Sequence, residues 1–268
     1  MAEATPPAPA SLLEVATDAA AEAASMVLAR AGASFALETK ASDIDLVTEV
    51  DHASERLLIE RLLDARPDDG ILGEEGGSIV GTSGVEWVID PIDGTTSFVY
   101  GLPGFSVSVA ARIDGETVAA VVNAPAIATV YSAALGHGTT RNGRPVTCTS
   151  ITELSKAMVA TGFSPDHDRR RRQGEHLADL IPDIRDIRRM GSAALDLAAV
   201  AAGQVDAYFE IGLAEWDWAA GVLLVAEAGG FVIAERDPDT GRAFVAAAAP
   251  GIADALVDRL RSSGADRV

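Results

Sequence analysis

WVIDPIDGTTSFVYG, Trp87 to Gly101, is the stretch that decides the reading. An apolar run ends at Ile89, two carboxylates follow three residues apart at Asp90 and Asp93, and Gly94-Thr95-Thr96 then opens a helix. VEWVI has the β-branched composition of a buried strand. Pro91 lacks a ladder donor and fixes φ, which predicts that the strand stops where the acids begin. Asp90 and Asp93 are then expected to leave the strand end on a stiff turn. The free N–H groups of the helix start make a ready position for a phosphate oxyanion, so carboxylate ligands and an anion cradle fall close together in the chain. Together they predict the floor of a phosphate-hydrolysing metal site. Taken alone, the same residues would also suit an ordinary turn with solvated aspartates.

Working outward, composition sets the bounds. The 268 residues, 48% of them hydrophobic, suffice for a sizeable core in one large domain or two closely packed halves. The charge, 21 − 40 = −19, argues against a general nucleic-acid or anionic-membrane binder and suits a protein that gathers cations. A single cysteine, Cys148, excludes an intramolecular disulfide and fits a reducing compartment. MAEATPPAPA, residues 1–10, has neither the basic start nor the apolar centre of a signal peptide. It reads as a disordered lead-in, and the expected address is the cytoplasm.

Upstream of the central stretch, SLLE at Ser11 to Glu14 predicts a capping box for an Ala-rich first helix ending before Gly32. A second helix is expected from His52 to the stop at Pro67, placing Asp51 near its N-terminus, where a carboxylate is favourable as a cap. Gly73-Glu74-Glu75-Gly76-Gly77 looks like a strand end feeding a flexible loop. Downstream, alternating runs joined at Asp114-Gly115 and Asn142-Gly143 predict an antiparallel meander from about Gly104 to Thr149. After Ile151 helices and strands alternate: helices at about 169–180 and 192–202, strands at 186–190 and 205–211, a helix opened by Asp217, strands FVIAE and FVAAAAP, and a last helix from Gly251. This pattern predicts a mixed or parallel sheet between helices. The expected halves are residues 11–150, α+β and carrying most acids, and 151–268, α/β. Arg169 to Arg172 is expected to be a solvated helix face or a subunit contact, and His52, His137, His167 and His176 show no ligand spacing for zinc.

DPIDGTTSF resembles the D-P-x-D-G-T-x-N-F signature of the inositol monophosphatase family. DLVTEVD (Asp45 to Asp51), GEE (Gly73 to Glu75) and WDWAAG (Trp216 to Gly221) match further family motifs in the family's order. Ser97 stands where the family usually has Asn. The resemblance implies a layered αβαβα sandwich, of the inositol monophosphatase and fructose-bisphosphatase type, with the active site between the halves. It also implies a Mg²⁺-dependent (or Mn²⁺-dependent) phosphate monoester hydrolase using two metals, lithium-sensitive and homodimeric. Glu74, Asp90 and the Ile92 carbonyl would hold one metal and Asp90, Asp93 and Asp217 the other. All are oxygen donors, as hard cations prefer. Thr95 and Asp51 would stand by the attacking water with Glu74 assisting, and Gly94 and Thr95 would bind phosphate. Gly191, Ser192, Ala193 and Glu210 would meet the substrate together with Asp93 and Asp217. Lys40 and Asp45 match positions near the metal entrance.

The expected substrate is an inositol 1-monophosphate. Histidinol phosphate is the alternative on the same fold, because Glu210 could equally pair with an ammonium group. A bisphosphate is disfavoured because no basic cluster stands near the motifs in the sequence. From another class, a regulatory binding protein could retain the fold.

Overall fold

The computed structural model describes residues 6–32, 37–39 and 46–267, so Lys40 and Asp45 lie outside the described residues. Helix α1 (Pro9–Arg30) is followed by an antiparallel ribbon of β1 (Leu37–Thr39) and β2 (Leu46–Thr48), then by α2 (Glu49–Ala65). The first large sheet contains β3 (Gly70–Gly73), β4 (Ser78–Ile79), β5 (Val85–Asp93), β6 (Ser106–Ile113), β7 (Glu116–Ala124), β8 (Thr129–Ala134), β9 (Thr139–Arg141) and β10 (Arg144–Val146). The short helix α3 (Thr95–Val99) sits between β5 and β6. The sheet order is β10-β9-β8-β7-β6-β5-β3-β4, antiparallel except where β3 runs parallel to β5. The second sheet, with order β12-β11-β13-β15-β14, contains β11 (Met158–Thr161), β12 (Asp186–Arg188), β13 (Ala207–Leu213), β14 (Phe231–Arg236) and β15 (Ala243–Ala248). Its helices are α4 (His167–Leu180), α5 (Ala193–Ala201), α6 (Glu215–Glu227) and α7 (Ala253–Ser263).

Strand alternation sorts the side chains into layers. Trp87 and Ile89 of β5 face α1 and α2, while Val88 between them joins the cluster formed with α5 and α6. On β15, Phe244, Ala246 and Ala248 face the outer layer with Leu256 and Leu260 of α7, whereas Val245 and Ala247 face the middle helices. The result is the expected αβαβα sandwich: α1 and α2, the first sheet, α5 and α6, the second sheet, then α4 and α7. Buried alanines of α1 at positions 16, 19, 20, 23 and 24 let that helix lie close on the sheet.

Local expectations are met at the two hairpins. Asp114-Gly115 and Asn142-Gly143 all take positive φ, as a two-residue turn of the favoured twist requires. Others need correction. The first helix starts at Pro9, not Ser11, because proline at the first helical position sets φ without losing a needed donor; the Ser11 hydroxyl donates instead to the Ala8 carbonyl. The strand does not end at Ile89 either. It runs to Asp93 with a register shift between Asp90 and Asp93 against β6, so Pro91 sits in a bulge where no ladder donor is called for. Strand β11, which the sequence reading omits, is four residues long and too short for its alternation to stand out.

Candidate active site

The bulge in β5 decides where the acids point. Asp90 is 1% exposed, and its Oδ1 accepts from the Ile92 N–H at 3.0 Å, so the side chain itself satisfies a backbone donor that the bulge frees from the ladder. Gly94 follows at φ 92° and caps α3, whose first N–H groups have no partner inside the helix. A side chain at Gly94 would meet the Gly104 and Gly191 carbonyls at 2.6 and 2.9 Å, so the backbone of the loop after β12 lies directly on it.

One turn of α2 braces this corner. Thr48 caps the helix with Asp51 in a capping box, and Asp51 Oδ2 accepts from the Thr48 N–H and hydroxyl at 2.8 and 2.5 Å. That leaves Asp51 Oδ1 for the Thr95 hydroxyl at 3.0 Å, the same hydroxyl lying 3.0 Å from the Ile92 carbonyl. Three residues on, Ser54 donates to the Pro91 carbonyl at 3.0 Å and holds the bulge. Next to it, buried Glu55 accepts from the N–H groups of Glu75 and Gly77 at 2.7 and 3.0 Å and so holds the loop bearing Glu74. Ser54 and Glu55 are absent from the sequence reading. Their signal was available: they lie at i+3 and i+4 from Asp51, polar residues on a face that must be buried.

The other half closes the cavity. Ser192 caps α5, and its hydroxyl donates to Asp93 Oδ2 at 2.7 Å, as does the Ala194 N–H. Gly191 to Ala193 is thus a bracket for Asp93 as well as a wall of the cavity. Asp217, third residue of α6, accepts from the Ala214 N–H through Oδ2 at 2.6 Å. Glu210 on β13 accepts from the Tyr208 hydroxyl at 2.8 Å. Glu74, Asp90, Ile92, Asp93, Gly94, Thr95, Gly191, Ser192, Ala193, Glu210 and Asp217 all line one cavity of about 840 Å³. Asp51 reaches it through Thr95. Trp218 stacks under the Arg112 guanidinium 5.4 Å from the ring centre, and Arg112 in turn pairs with Glu215.

The acids repel one another. Burial, and then the charges of Glu74, Asp93 and Asp217, push Asp90 well above the ordinary carboxylate range. Asp217 is raised by burial and by Asp93 and Glu74. Asp93 rises to about 6 through burial, although Ser192, the Ala194 and Ala193 N–H groups and Arg189 pull the other way. Glu210 rises to about 7 by burial against the opposing Tyr208 hydrogen bond. No three His, Cys, Asp or Glu side chains among the described residues close into a ready cage for an ion. Asp90, Asp93 and Asp217 each commit an oxygen to a protein N–H or hydroxyl. The all-oxygen donor set and its mutual repulsion nevertheless fit hard divalent cations, which would replace protons as the neutralising charge.

One sequence expectation fails here. The structure brings Arg169, Arg170, Arg189 and Arg242 to the same cavity, so a basic cluster does stand near the motifs. Arg189 and Arg242 lie outside the RRRR run, and the sheet topology is what brings them to the cavity.

The sequence profile of the inositol monophosphatase family matches residues 8–263. The chain belongs to that family. It is 48% identical over 274 residues to an inositol-1-monophosphatase SuhB of Mycobacterium tuberculosis (strain ATCC 25618 / H37Rv), covering 94% of each chain. It is 42% identical over 230 residues to a protein of Pasteurella multocida called Nus factor SuhB, covering 83% of this chain and 85% of that one. The crystal structure of the extragenic suppressor protein suhB from Bartonella henselae superposes with a TM-score of 0.87 at 32% identity, covering 93% of this chain and 98% of that one. The family supports a phosphatase acting on small phosphate monoesters. Among the described residues, no helix is long and apolar enough to cross a membrane.

Proposed function

We propose that the chain is a Mg²⁺-dependent inositol-1-monophosphatase. The observation that carries this is the convergence of Glu74, Asp90, Asp93 and Asp217 on one cavity beside the Gly94 cap. Glu74, Asp90 and the Ile92 carbonyl would hold one cation, and Asp90, Asp93 and Asp217 a second. When bound, the cations supply charge neutralisation for the phosphoryl oxygens and the leaving oxygen, and they make water more acidic. The N–H groups of Gly94 and Thr95 would hold phosphoryl oxygens as fixed donors. Thr95 Oγ1, donating to Asp51 Oδ1, has lone pairs free to orient a water, and Asp51 Oδ1 can receive its proton through that hydroxyl. The water oxygen bonds to phosphorus and the ester P–O bond breaks. One water proton ends on the departing alcohol and the other stays on hydrogen phosphate. Glu210 and the Gly191 to Ala193 loop face the alcohol, and Glu210 can accept from polyol hydroxyls.

Phosphate release from inositol 1-phosphate, sugar monophosphates and histidinol phosphate, with Mg²⁺ and with chelator, tests this. Metal-dependent turnover greatest on the inositol ester is expected. Turnover greatest on histidinol phosphate would move the substrate and keep the chemistry, and no metal-dependent turnover would sink the reading. Relatives called Nus factor SuhB favour a second reading, a regulatory binding role. A protein carrying Asp90→Asn that still performs such a role would separate the two.

A further inference from the structure

One acid of the cavity has no part in the chemistry above. Helix α5 is apolar along its length and all of Ala193–Ala201 is buried, with Asp196 its one charged residue. Asp196 is 1% exposed and lines the cavity. Its N–H donates to the Ser192 carbonyl at 2.9 Å, so its side chain shares the helix face of Ser192 and Ala193, which also line the cavity.

The Asp196 carboxyl is unspent. Oδ1 is shut off from solvent and accepts no hydrogen bond. Oδ2 has no partner among the described residues either, and the space it opens on is the cavity. Other acids of this half are engaged: Asp206 accepts from the Thr149 hydroxyl and the Met158 N–H, and Asp217 from the Ala214 N–H. An unpaired carboxyl on an apolar helix costs folding free energy.

Beside it stands Glu210. Burial, and then the charges of Glu210 and Asp93, hold Asp196 well above the ordinary carboxylate range against the pull of Arg189. Glu210 is fixed from behind. Fully buried Tyr208 donates to its Oε2 at 2.8 Å, and a side chain on Gly162 would run into that oxygen, so the backbone after β11 lies directly on the carboxylate. Two carboxyls, one from α5 and one from β13, thus face the alcohol end of the cavity, and only one of them has a partner.

We propose that Asp196 is a specificity-determining residue of the leaving-group pocket, meeting one hydroxyl of the departing polyol while Glu210 meets another. This rests on the phosphatase reading above and adds a second contact to its alcohol. A hydroxyl both donates and accepts, so it satisfies the carboxyl whether or not that carboxyl carries a proton. Two acceptors on separate elements select an alcohol with more than one hydroxyl over an alcohol with none.

The test compares wild type, Asp196→Ala and Asp196→Asn on inositol 1-phosphate and on p-nitrophenyl phosphate, whose leaving group has no further hydroxyl, at saturating Mg²⁺. Asp196→Ala should lower kcat/KM on the inositol ester by about 10- to 30-fold, mostly through KM, and on the nitrophenyl ester by no more than about threefold. Asp196→Asn, which keeps an oxygen acceptor and supplies a donor, should stay within about threefold of wild type on both. Neither variant should melt below wild type, because each removes a buried unpaired carboxyl. An unchanged KM for the inositol ester in Asp196→Ala, an equal loss on both esters, or a lower Tm in both variants would overturn the proposal, the last by making Asp196 a structural residue. If no ester is cleaved at any Mg²⁺ concentration, it is the phosphatase reading that has failed. Calorimetric titration of inositol 1-phosphate onto wild type and Asp196→Ala then still decides, with equal affinities overturning the contact.

Discussion

The two walls of the cavity are built on opposite plans. The wall from the first half is short in sequence and cross-braced. Residues 73–96 supply the acids and the helix start, and one turn of α2 holds their pieces through Asp51, Ser54 and Glu55. The wall from the second half is gathered from the ends of β11, β12, β13 and β15 and the starts of α4 and α6, and its arginines have no ion-pair partners among the described residues. A rigid wall keeps reacting groups in place, as phosphoryl chemistry requires. A wall with unspent donors is suited to recognising what arrives.

Asp90→Asn breaks the braced wall most severely. The amide keeps the shape and the contact to Ile92 but removes the charge that two cations would share. Metal-dependent phosphate release is expected to fall by about 10³-fold or more with the fold intact by circular dichroism. Retention of most turnover at saturating Mg²⁺ would refute the two-metal assignment.

Glu55→Ala probes the brace without touching the reacting groups. It leaves the N–H groups of Glu75 and Gly77 without their carboxylate and frees the loop that carries Glu74. The Mg²⁺ concentration for half-maximal activity should rise by about 10- to 100-fold, with kcat largely recovered at high Mg²⁺. An unchanged Mg²⁺ requirement would mean that the loop is held by other contacts. A side chain at Gly73 would meet Glu55 Oε2 at 2.5 Å, so the glycine and the acid belong to the same device.

This contrast explains what was legible in the sequence. DPIDGTTSF carries its chemistry in adjacent residues, so the acids and the helix start could be read directly, and the αβαβα order followed from the family motifs. Pro91 misled, because a strand can pass a proline through a bulge when a neighbouring side chain takes the freed N–H. Glu55 stood in an amphipathic pattern where polar residues usually mean solvent, and only its spacing of four from Asp51 marked it as facing inward. The arrival of Arg189 and Arg242 at the cavity could not be read at all, since it depends on the order in which the second sheet is assembled.

Removing metal should sharpen the difference through pH. Asp90 and Asp217 are held well above the ordinary range, Asp93 at about 6 and Glu210 at about 7, against ordinary values of 3.8 and 4.5. Each folded-state pKa lies above its unfolded value, so the folded protein binds more protons. The associated stability is fully present below the unfolded values and is lost as pH rises through the folded ones. Metal-free protein should therefore lose several degrees of Tm between about pH 5 and pH 8, and saturating Mg²⁺ should remove most of that slope. Thermal melts in chelator that stay flat or rise over this range would contradict the electrostatic account.

The smallest effect is expected on the recognising wall, at Glu210. Glu210 accepts from the Tyr208 hydroxyl, and its carboxylate has capacity left for the substrate. With a polyol substrate the extra partners are hydroxyl donors. Glu210→Gln keeps an acceptor but loses the charge, so selectivity should weaken by about 1–2 kcal/mol, the scale of a charge-assisted hydrogen bond. With an amino-alcohol phosphate such as histidinol phosphate, the same change would delete an ion pair in a partly desolvated pocket and cost about 2–5 kcal/mol in kcat/KM for that substrate alone. Arg189 bears on the choice. Its charge already favours the ionised form of Glu210, so an incoming ammonium group would meet a nearby cation as well as the carboxylate. The neutral polyol does not meet that repulsion. Measuring kcat/KM for wild type and Glu210→Gln on both substrates decides the point: the larger loss on histidinol phosphate, together with a higher wild-type value there than on every inositol or sugar phosphate tested, would overturn the polyol assignment.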